Sequence, residues 1–369
     1  MICFPMNRTA LHKNHTESGA KMVEFAGWQM PLFYSSIIDE HRAVRSGCGI
    51  FDASHMGEIE ITGPDAQALC QRLVTNNIEQ MGELSAQYNL LCNEDGGILD
   101  DLMVYRFSPE RFVLCVNASN TQSDFEWIAA QTSGFSAEVN NISARVALVS
   151  VQGPKSAEIV SRVLGSEVEM PARFSFTVFG PTDSFVSRTG YTGEDGFEIF
   201  LPPQDAPELW SHIISDGGAA MCGLGCRDTL RLEMGYSLYG NEISQSVTPF
   251  EANLGRYVKM DKGDFCGRES LEKALADGAR YALCGIEMVE PGIPRHSYKV
   301  FCEDTEAGEV TSGTMSPSLE KPIGLALIDC SALQTARRSG VEIQIRNARK
   351  KAVLTDPPFY RKNTKEEQQ

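Results

Sequence analysis

The chain has 369 residues, which is enough for two or three domains with separate cores. Hydrophobic residues make up 42% and charged residues 22%, as in ordinary globular proteins, and no apolar run is long enough to cross a bilayer. A formal charge of -16 argues against nucleic acid or an anionic membrane as a general partner, although an anionic ligand could still bind in a local basic pocket. The first twenty residues lack a secretory or organelle-targeting pattern, which favours the cytoplasm.

Eleven cysteines are scattered singly, mostly in apolar contexts such as Leu114-Cys115-Val116. This distribution is typical of reduced, buried thiols rather than of a disulfide framework. Cys222 and Cys226 form the one close pair, and no second Cys/His pair stands at metal-ligand spacing. We therefore predict no metal site.

Early in the chain, we predict strands in KMVEFAGWQMP (21–31) and FDASHMGEIEI (51–61) and a helix at residues 37–45. A strand, a Gly-Pro turn and a helix then occur twice, in IEITGPDAQALCQRLV (59–74) and VSVQGPKSAEIVSRVL (149–164). Chance could place Gly-Pro twice, but the matched hydrophobic period on both sides favours an internal duplication. We predict two α+β halves that face each other, with a ligand cavity at their interface.

The segment NEDGGILDDLMVYR (93–106) places two adjacent carboxylates inside an apolar strand. Because side chains alternate along a strand, Asp100 and Asp101 should point to opposite faces, and one of them must lie in the interior or a cavity. A buried carboxylate is costly unless it is paired, so the pattern indicates a functional site. The alternative is an Asp-rich hairpin whose carboxylates cap turns or face water.

The next strand returns through the turn Ser-Pro-Glu, which should bring Asn117 back near the aspartate pair. We predict a Ser-capped helix at 119–131, a hairpin at 184–201 whose turn is GYTGEDG, and helices at 205–214 and from residue 227 onward. Beyond a composition shift near 275–280, short alternating strands predict a small antiparallel barrel or sandwich. The predicted domains are 1–278 and 279–363, followed by a disordered tail at 364–369.

Eight stretches in order resemble the aminomethyltransferase, or T-protein, family of the glycine cleavage system. They are KMVEFAGWQMP, FDASHMGEI, NEDGGILDDL, VNASN, QGP, GYTGEDGFE, CRDTLRLEMGYSLYGNEI and TSGTMSPSL, and the resemblance runs from about Leu11 to Tyr360. It implies a duplicated, ferredoxin-like α+β folate-binding region around a central cavity, followed by a C-terminal antiparallel β-barrel. Departures are small, such as Glu242 in place of an expected Asp.

The resemblance also implies a reaction and its partners. The aminomethyl group carried on the dihydrolipoyl arm of H-protein would pass to the co-substrate tetrahydrofolate, releasing ammonia and giving 5,10-methylenetetrahydrofolate. The family's essential aspartate corresponds to Asp101, its pterin-gripping glutamate to Glu198 and its folate-contacting arginine to Arg227. Further ligand-lining positions correspond to Tyr88, Tyr105, Asn117, Tyr191 and Met56.

Each assignment has a plainer alternative. Glu198 could be a strand glutamate facing water, and Arg227 could form a helix-surface ion pair with Asp228 or Glu233. The tyrosines could be ordinary core residues, and Asp100 is assigned to structure. His55 is interpreted as a structural histidine rather than a general base, and Tyr360 matches a ligand-contacting tyrosine only through a poor alignment of PPFYRK.

Two other functions remain open at this stage. Another tetrahydrofolate-dependent demethylase could share the fold, but the presence of both GYTGEDGFE and the Asp-Asp pair favours glycine cleavage. A folate-binding assembly factor for iron-sulfur proteins would carry a reactive cysteine in a Lys-Gly-Cys-Tyr-type motif. This chain has GYTGE in the comparable region, without a cysteine.

Overall fold

The computed structural model describes residues 6–362, so the tail predicted at 364–369 lies outside the described residues. The first part of the chain ends in a strand, Gly49–Asp52, whose hydrogen-bonding partners come much later in the sequence. The short first helix was not predicted, because HKNHTE has no apolar period, but its His15 is buried and contacts Asp52 across 2.8 Å. The elements are α1 (His12–Glu17), β1 (Lys21–Phe25), β2 (Trp28–Phe33), α2 (Ile37–Ser46) and β3 (Gly49–Asp52).

The predicted duplication is confirmed, because the order strand, helix, three strands, helix, strand occurs twice. The first unit comprises β4 (Gly57–Thr62), α3 (Ala66–Leu73), β5 (Ser85–Cys92), β6 (Ile98–Ser108), β7 (Arg111–Val116), α4 (Thr121–Ala130) and β8 (Glu138–Asn141). The second comprises β9 (Ala147–Gln152), α5 (Ser156–Leu164), β10 (Phe176–Phe179), β11 (Ser184–Ser187), β12 (Gly196–Leu201), α6 (Ala206–Ser215) and β13 (Ala220–Met221).

The two units also share one sheet topology. The first sheet has the order β5-β6-β7-β4-β8, and the second has the order β10-β11-β12-β9-β3-β13. Strand β3 is therefore inserted between β9 and β13, antiparallel to β9 and parallel to β13. The second sheet is completed by a strand that precedes the first unit in the sequence.

The Gly-Pro turn of each unit is a backbone requirement. Gly63 and Gly153 have φ values of +120° and +132°, and a Cβ at either position would lie 2.6 Å or closer to a backbone oxygen. Only glycine fits such a conformation without strain. The turn lets the chain leave the strand and start the helix on one face of the sheet.

The two units form four layers, helix, sheet, sheet and helix. Helices α3 and α4 cover the outer face of the first sheet, and α5 and α6 cover that of the second, over two separate apolar cores. The inner faces meet in a third core rich in aromatic rings, in which Phe185 and Phe200 stack with centroids 4.2 Å apart. Side chains on the inner faces therefore come from both halves.

The C-terminal part is a closed six-stranded antiparallel barrel with the strand order β14-β17-β16-β15-β18-β19, as predicted. Its first strand begins at Tyr281, close to the predicted boundary at 278/279, which stays a prediction. Helices α8 and α9 were not predicted. The elements are α7 (Leu224–Glu233), α8 (Arg268–Asp277), β14 (Tyr281–Met288), β15 (Lys299–Cys302), β16 (Thr305–Ser316), β17 (Lys321–Asp329), α9 (Cys330–Ser339), β18 (Val341–Ile345) and β19 (Ala348–Thr355).

A buried ionic network joins the barrel to the preceding region. Glu233, at the end of α7, accepts hydrogen bonds from Arg45 of α2 at 2.8 Å and from Ser318 of the barrel at 2.9 Å. Burial opposes ionisation, but His41, Ser316 and Arg45 together lower the pKa of Glu233 to about 2. The carboxylate is therefore charged at every pH at which the protein is ordinarily handled.

Candidate active site

Asp100 and Asp101 face opposite sides of β6, as the alternation of a strand requires. Asp100 is fully buried on the same face as Leu102 and Val104, toward the helices. Asp101 is half-buried on the face of Met103, which belongs to the layer between the two sheets. The structure thus places only the second carboxylate where both halves could act on one ligand.

Asn117 ties the two carboxylates together. Its backbone N–H donates to Asp100 Oδ2 at 2.8 Å, and its Nδ2 donates to Asp100 Oδ1 at 2.7 Å and to Asp101 Oδ1 at 2.9 Å. The other oxygen of Asp101 accepts a hydrogen bond from the Tyr88 hydroxyl at 2.9 Å. Both oxygens of Asp101 are therefore held in place by side chains that the sequence assigned to the site.

The environment of Asp101 moves its titration toward neutral pH. Burial, and then the negative charge of Asp100, raise the pKa of Asp101 to about 7, against the hydrogen bonds from Tyr88 and Asn117. Such a carboxyl is an effective proton acceptor near pH 7, because its pKa matches the working pH. A solvent-exposed aspartate would be a much weaker base.

Glu198 lies on β12 and reaches the same layer from the second half. Its Oε2 accepts a hydrogen bond of 2.6 Å from Thr189, and no donor among residues 6–362 supplies a hydrogen bond to Oε1. Burial raises the pKa of Glu198, while the Thr189 hydroxyl and the positive charge of Arg227 oppose the rise. The strand glutamate is therefore half-buried and faces the layer between the two sheets.

Tyr105 is the predicted site residue that is most deeply packed. It is fully buried, and its ring touches those of Phe185 and Phe200 with centroids 5.2 Å away. Its hydroxyl lies in the field of Glu198 but has no hydrogen-bond partner among residues 6–362. The ring belongs to the inner core, whereas the hydroxyl is a donor left available next to Glu198.

Arg227, on α7, does not form the helix-surface ion pair that the sequence left open. Asp228 pairs with Arg231 at 2.8 Å, and Glu233 pairs with Arg45. The Arg227 guanidinium instead lies 5.1 Å from the centroid of the Tyr191 ring, a cation–π arrangement. Within the described part of the chain it has no carboxylate partner, so its charge is available to a ligand.

His55, Met56 and Tyr360 differ in how close they lie to this site. His55 is buried beside Arg227, and burial and that charge lower the pKa of His55 to about 4, which keeps the ring neutral. Met56 packs at the margin of the inner core. Tyr360 lies outside this group, with its ring 4.3 Å from the Arg45 guanidinium at the junction with the barrel.

The structure therefore brings the predicted residues together in two linked groups. Tyr88, Asp101 and Asn117 are directly hydrogen-bonded, and Arg227 contacts Tyr191. The charges of Asp101 and Arg227 both act on the Tyr191 hydroxyl, so the two groups share one region.

The sequence missed several residues of this region. Tyr257 packs edge-on against Tyr88 with centroids 4.6 Å apart, and Asn120 donates to Asp100 Oδ1 at 2.8 Å. The helix predicted at 119–131 runs from Thr121 to Ala130, and its N-cap is Asn120 rather than a serine. The spacing of Asn117, Asn120 and Asp124 by three and four residues could have revealed a polar face turned toward Asp100.

A cavity of about 640 Å³ opens between the two sheets, but none of the predicted site residues lines it. Glu58 of β4 lies at its wall, fully buried, with neither carboxylate oxygen hydrogen-bonded within residues 6–362. Burial without a compensating donor raises the pKa of Glu58 well above its usual range. Glu58 can therefore serve as a control for Glu198, since both are strand glutamates between the sheets but only Glu198 belongs to the predicted site.

Within residues 6–362, one group of side chains has metal-ligand geometry. Glu40, Cys222 and Cys226 place ligand atoms within 4.8 Å of one another. The Glu40 oxygens already accept three backbone N–H groups, from Tyr34, Ser35 and Gly223, at 2.6 to 3.1 Å. The Glu40 carboxylate therefore anchors the segment before α2 to the residue before α7.

Comparison with known proteins assigns the family. The model of the GCVT N-terminal domain matches residues 11–262, and that of the glycine cleavage T-protein C-terminal barrel domain matches residues 282–361. These matches define a two-part protein of the T-protein class.

Relatives match over nearly the whole chain. An aminomethyltransferase of Bacillus mycoides is 46% identical over 97% of this chain and 99% of its own length, and one of Caldanaerobacter subterraneus is 43% identical over 98% and 97%. The crystal structure of glycine cleavage system aminomethyltransferase T from Bartonella henselae superposes with a TM-score of 0.91 at 31% identity, covering 96% and 98% of the two chains. The chain belongs to the aminomethyltransferase family of the glycine cleavage system and is an enzyme of one-carbon transfer.

No helix within residues 6–362 combines the length and the apolar character that a membrane crossing requires.

Proposed function

We propose that the region around Asp101, Glu198 and Arg227 binds tetrahydrofolate and transfers to it the aminomethyl carbon carried by the lipoyl arm of H-protein. The observation that carries this proposal is the position of Asp101. Its carboxylate faces the layer between the halves, is fixed at both oxygens, and has a pKa raised to about 7. A group with these properties can manage a proton at neutral pH.

The reaction needs proton management rather than a protein nucleophile. The methylene carbon exchanges its bonds to the amine nitrogen and the sulfur for bonds to two folate nitrogens. The two protons that those nitrogens lose are balanced by the two that ammonia and the dihydrolipoyl thiol gain. Asp101 would orient the attacking nitrogen, accept its proton, or stabilise the cation that forms at the carbon.

The other side chains fit the two ends of a folate. Glu198 has one oxygen available, and a carboxylate can accept parallel hydrogen bonds from a 2-amino group and the adjacent ring N–H. The Tyr105 hydroxyl is an unused donor beside it. Arg227 has no carboxylate partner within residues 6–362, and a guanidinium suits the carboxylate tail.

Tyr88 and Tyr191 offer aromatic faces for the folate rings. Asn117 would act by fixing Asp101, and Met56 would close the apolar side. H-protein is expected to dock transiently at the opening through which its lipoyl arm reaches the folate, together with the other components of the glycine cleavage system. Because the chain has a net charge of -16, electrostatic steering would have to come from a local cluster of Lys and Arg.

Calorimetric titration of tetrahydrofolate into the wild type, Glu198→Gln and Glu58→Gln tests the proposal. Loss of a charge-assisted pair should weaken binding to Glu198→Gln by roughly 2 to 4 kcal/mol, or about thirtyfold to a thousandfold. Glu58→Gln is the matched control, because Glu58 is also a strand glutamate between the sheets but lines the cavity that none of the predicted site residues reaches. Unchanged affinity in Glu198→Gln, or weakened affinity in Glu58→Gln alone, would move the folate site away from Asp101.

A further inference from the structure

Behind the strand that carries Asp101 lies a third buried carboxyl, Asp124. It is in the first turn of α4, is 2% exposed and belongs to the outer face of the sheet, where Asp100 also points. The Asp124 carboxyl lies within hydrogen-bonding reach of the Asp100 carboxyl. Its Oδ2 receives no hydrogen bond from any donor of residues 6–362.

The hydrogen bonds show which of the two carboxyls carries the charge. Asp100 accepts three N–H groups, at 2.8 Å from the Asn117 backbone, 2.7 Å from Asn117 Nδ2 and 2.8 Å from Asn120 Nδ2. This is the environment of a carboxylate anion. Asp124 has no such donors, and two adjacent carboxyls cannot both ionise at low cost in a buried site.

We propose that Asp124 is a neutral carboxylic acid that donates its proton to Asp100, and that this pair is a positioning element that holds Asn117 against Asp101. The chain of contacts runs from α4 to the site. The Asp124 hydroxyl fixes Asp100, Asp100 fixes both nitrogens of Asn117, and Asn117 Nδ2 donates to Asp101 Oδ1 at 2.9 Å. No step of this chain touches the substrate, so Asp124 is a positioning residue and not a catalytic one.

The pair also sets the charge that Asp101 experiences. Burial, and then the charges of Asp100 and Asp101, raise the pKa of Asp124 to about 10. The pair consequently carries one negative charge rather than two at neutral pH. Tyr239 is a further titratable group in the field of all three aspartates; burial first, and then their charges, raise the pKa of its phenol, so it stays neutral.

The inference about the proton is independent of the proposed function, whereas the positioning role rests on it. A first measurement therefore uses the free protein. Infrared difference spectra between the wild type and Asp124→Asn at pH 9 isolate the carbonyl stretch of a protonated carboxyl at residue 124, since Asp101 is ionised at that pH and Glu58 is common to both proteins. A band that disappears in Asp124→Asn supports the proposal, and a difference spectrum without one overturns it.

The second measurement is the pH profile of turnover. The amide introduced by Asp124→Asn would donate to Asp100 as the protonated acid does and is equally neutral, so the pH midpoint of this variant should match that of the wild type. If Asp124 were ionised, its replacement would remove a negative charge near Asp101 and lower the midpoint by about one unit or more. That shift would overturn the proposal.

A third variant tests the positioning role. Asp124→Leu removes the donor, so Asp100 and Asn117 are less firmly fixed, and kcat should fall about tenfold to a hundredfold with little change in KM for tetrahydrofolate. If kcat is restored in Asp124→Asn, which keeps a donor to Asp100, the loss in Asp124→Leu comes from the missing hydrogen bond rather than from a change in packing. Glu126→Gln, which removes an exposed carboxylate from the same helix, is the control. Equal kcat in Asp124→Leu and the wild type would refute the positioning role. If Asp124→Leu does not fold, the measurements on Asp124→Asn still show whether Asp124 is protonated.

Discussion

Replacing Asp101 by Asn should leave the fold and folate binding intact while removing turnover. Asn has the shape of Asp, its carbonyl oxygen can accept the hydrogen bond from Asn117, and its amide can donate to the Tyr88 hydroxyl, which is free to turn and accept. The substitution therefore removes the charge and the proton acceptor and little else.

The size of the effect follows from the role. A lost general base or electrostatic contact costs about a hundredfold to ten-thousandfold in rate, which corresponds to about 2.7 to 5.5 kcal/mol of activation free energy. The pKa of Asp101 is raised to about 7, so the wild-type rate should fall as the pH drops through about 7, rather than near 4 as for an exposed aspartate. The residual rate of Asp101→Asn should lack this step.

Stability provides an independent check with a definite sign. Because the folded-state pKa of Asp101 lies above its unfolded value, ionisation in the folded protein is penalised as the pH rises from about 4 to about 7. Asp101→Asn should therefore raise the free energy of unfolding by roughly 2 to 4 kcal/mol above pH 7 and change it little below pH 4. If Asp101→Asn were less stable than the wild type at pH 8, the ionised Asp101 carboxylate would stabilise the fold, which contradicts this reasoning.

The decisive assay is single-turnover formation of methylenetetrahydrofolate from aminomethylated H-protein, with the Kd for tetrahydrofolate measured separately. If Asp101→Asn turned over fully and a folded Asp100→Asn were inactive, the catalytic carboxylate would be Asp100, on the face of β6 that points toward the helices. That result would refute the assignment of Asp101.

Two further predictions concern stability. Asp100→Asn should lower the free energy of unfolding by about 1 to 3 kcal/mol, which chemical denaturation can measure. The cause is that the new amide places an NH₂ donor opposite N–H groups that donate three hydrogen bonds to Asp100. Glu233→Gln should cost about 3 to 5 kcal/mol at pH 7, because it leaves Arg45 and the barrel junction without their shared anion. Since the pKa of Glu233 is lowered to about 2, this difference from the wild type should shrink as the pH falls from about 4.5 to about 2, and a gap that persists at pH 2 would contradict the charge-based explanation.

Local patterns predicted most of the fold. The Gly-Pro turns at 63 and 153, each between a period-two and a period-3.6 segment, revealed the duplication, and six short alternating runs revealed the barrel. The Asp-Asp pair was recognisable because a strand must send one of two neighbouring side chains inward. These features depend only on residues that are close together in the sequence.

Features that depend on distant residues were not predictable. Nothing in GIFD (49–52) indicates that its partners are strands β9 and β13. The sequence did not show whether Arg227 pairs with Asp228 or Glu233, because both lie within reach along the helix. Only the folded chain shows that Arg231 and Arg45 pair with these two carboxylates instead. The contact of Asp124 with Asp100 joins two acidic side chains, and the sequence alone does not show that one of them stays protonated.

The insertion of β3 into the second sheet has a consequence for synthesis of the chain on the ribosome. Residues 49–52 emerge first, but their hydrogen-bonding neighbours at 147–152 and 220–221 follow about a hundred or more residues later. The first α+β unit can fold once residue 141 has left the ribosome. Strand β3 stays unpaired until the second unit has been synthesised. A chain cut between the two units would therefore yield a first half with a complete sheet and a second half whose sheet lacks β3. The first half still carries residues 49–52 and could fill that gap in trans.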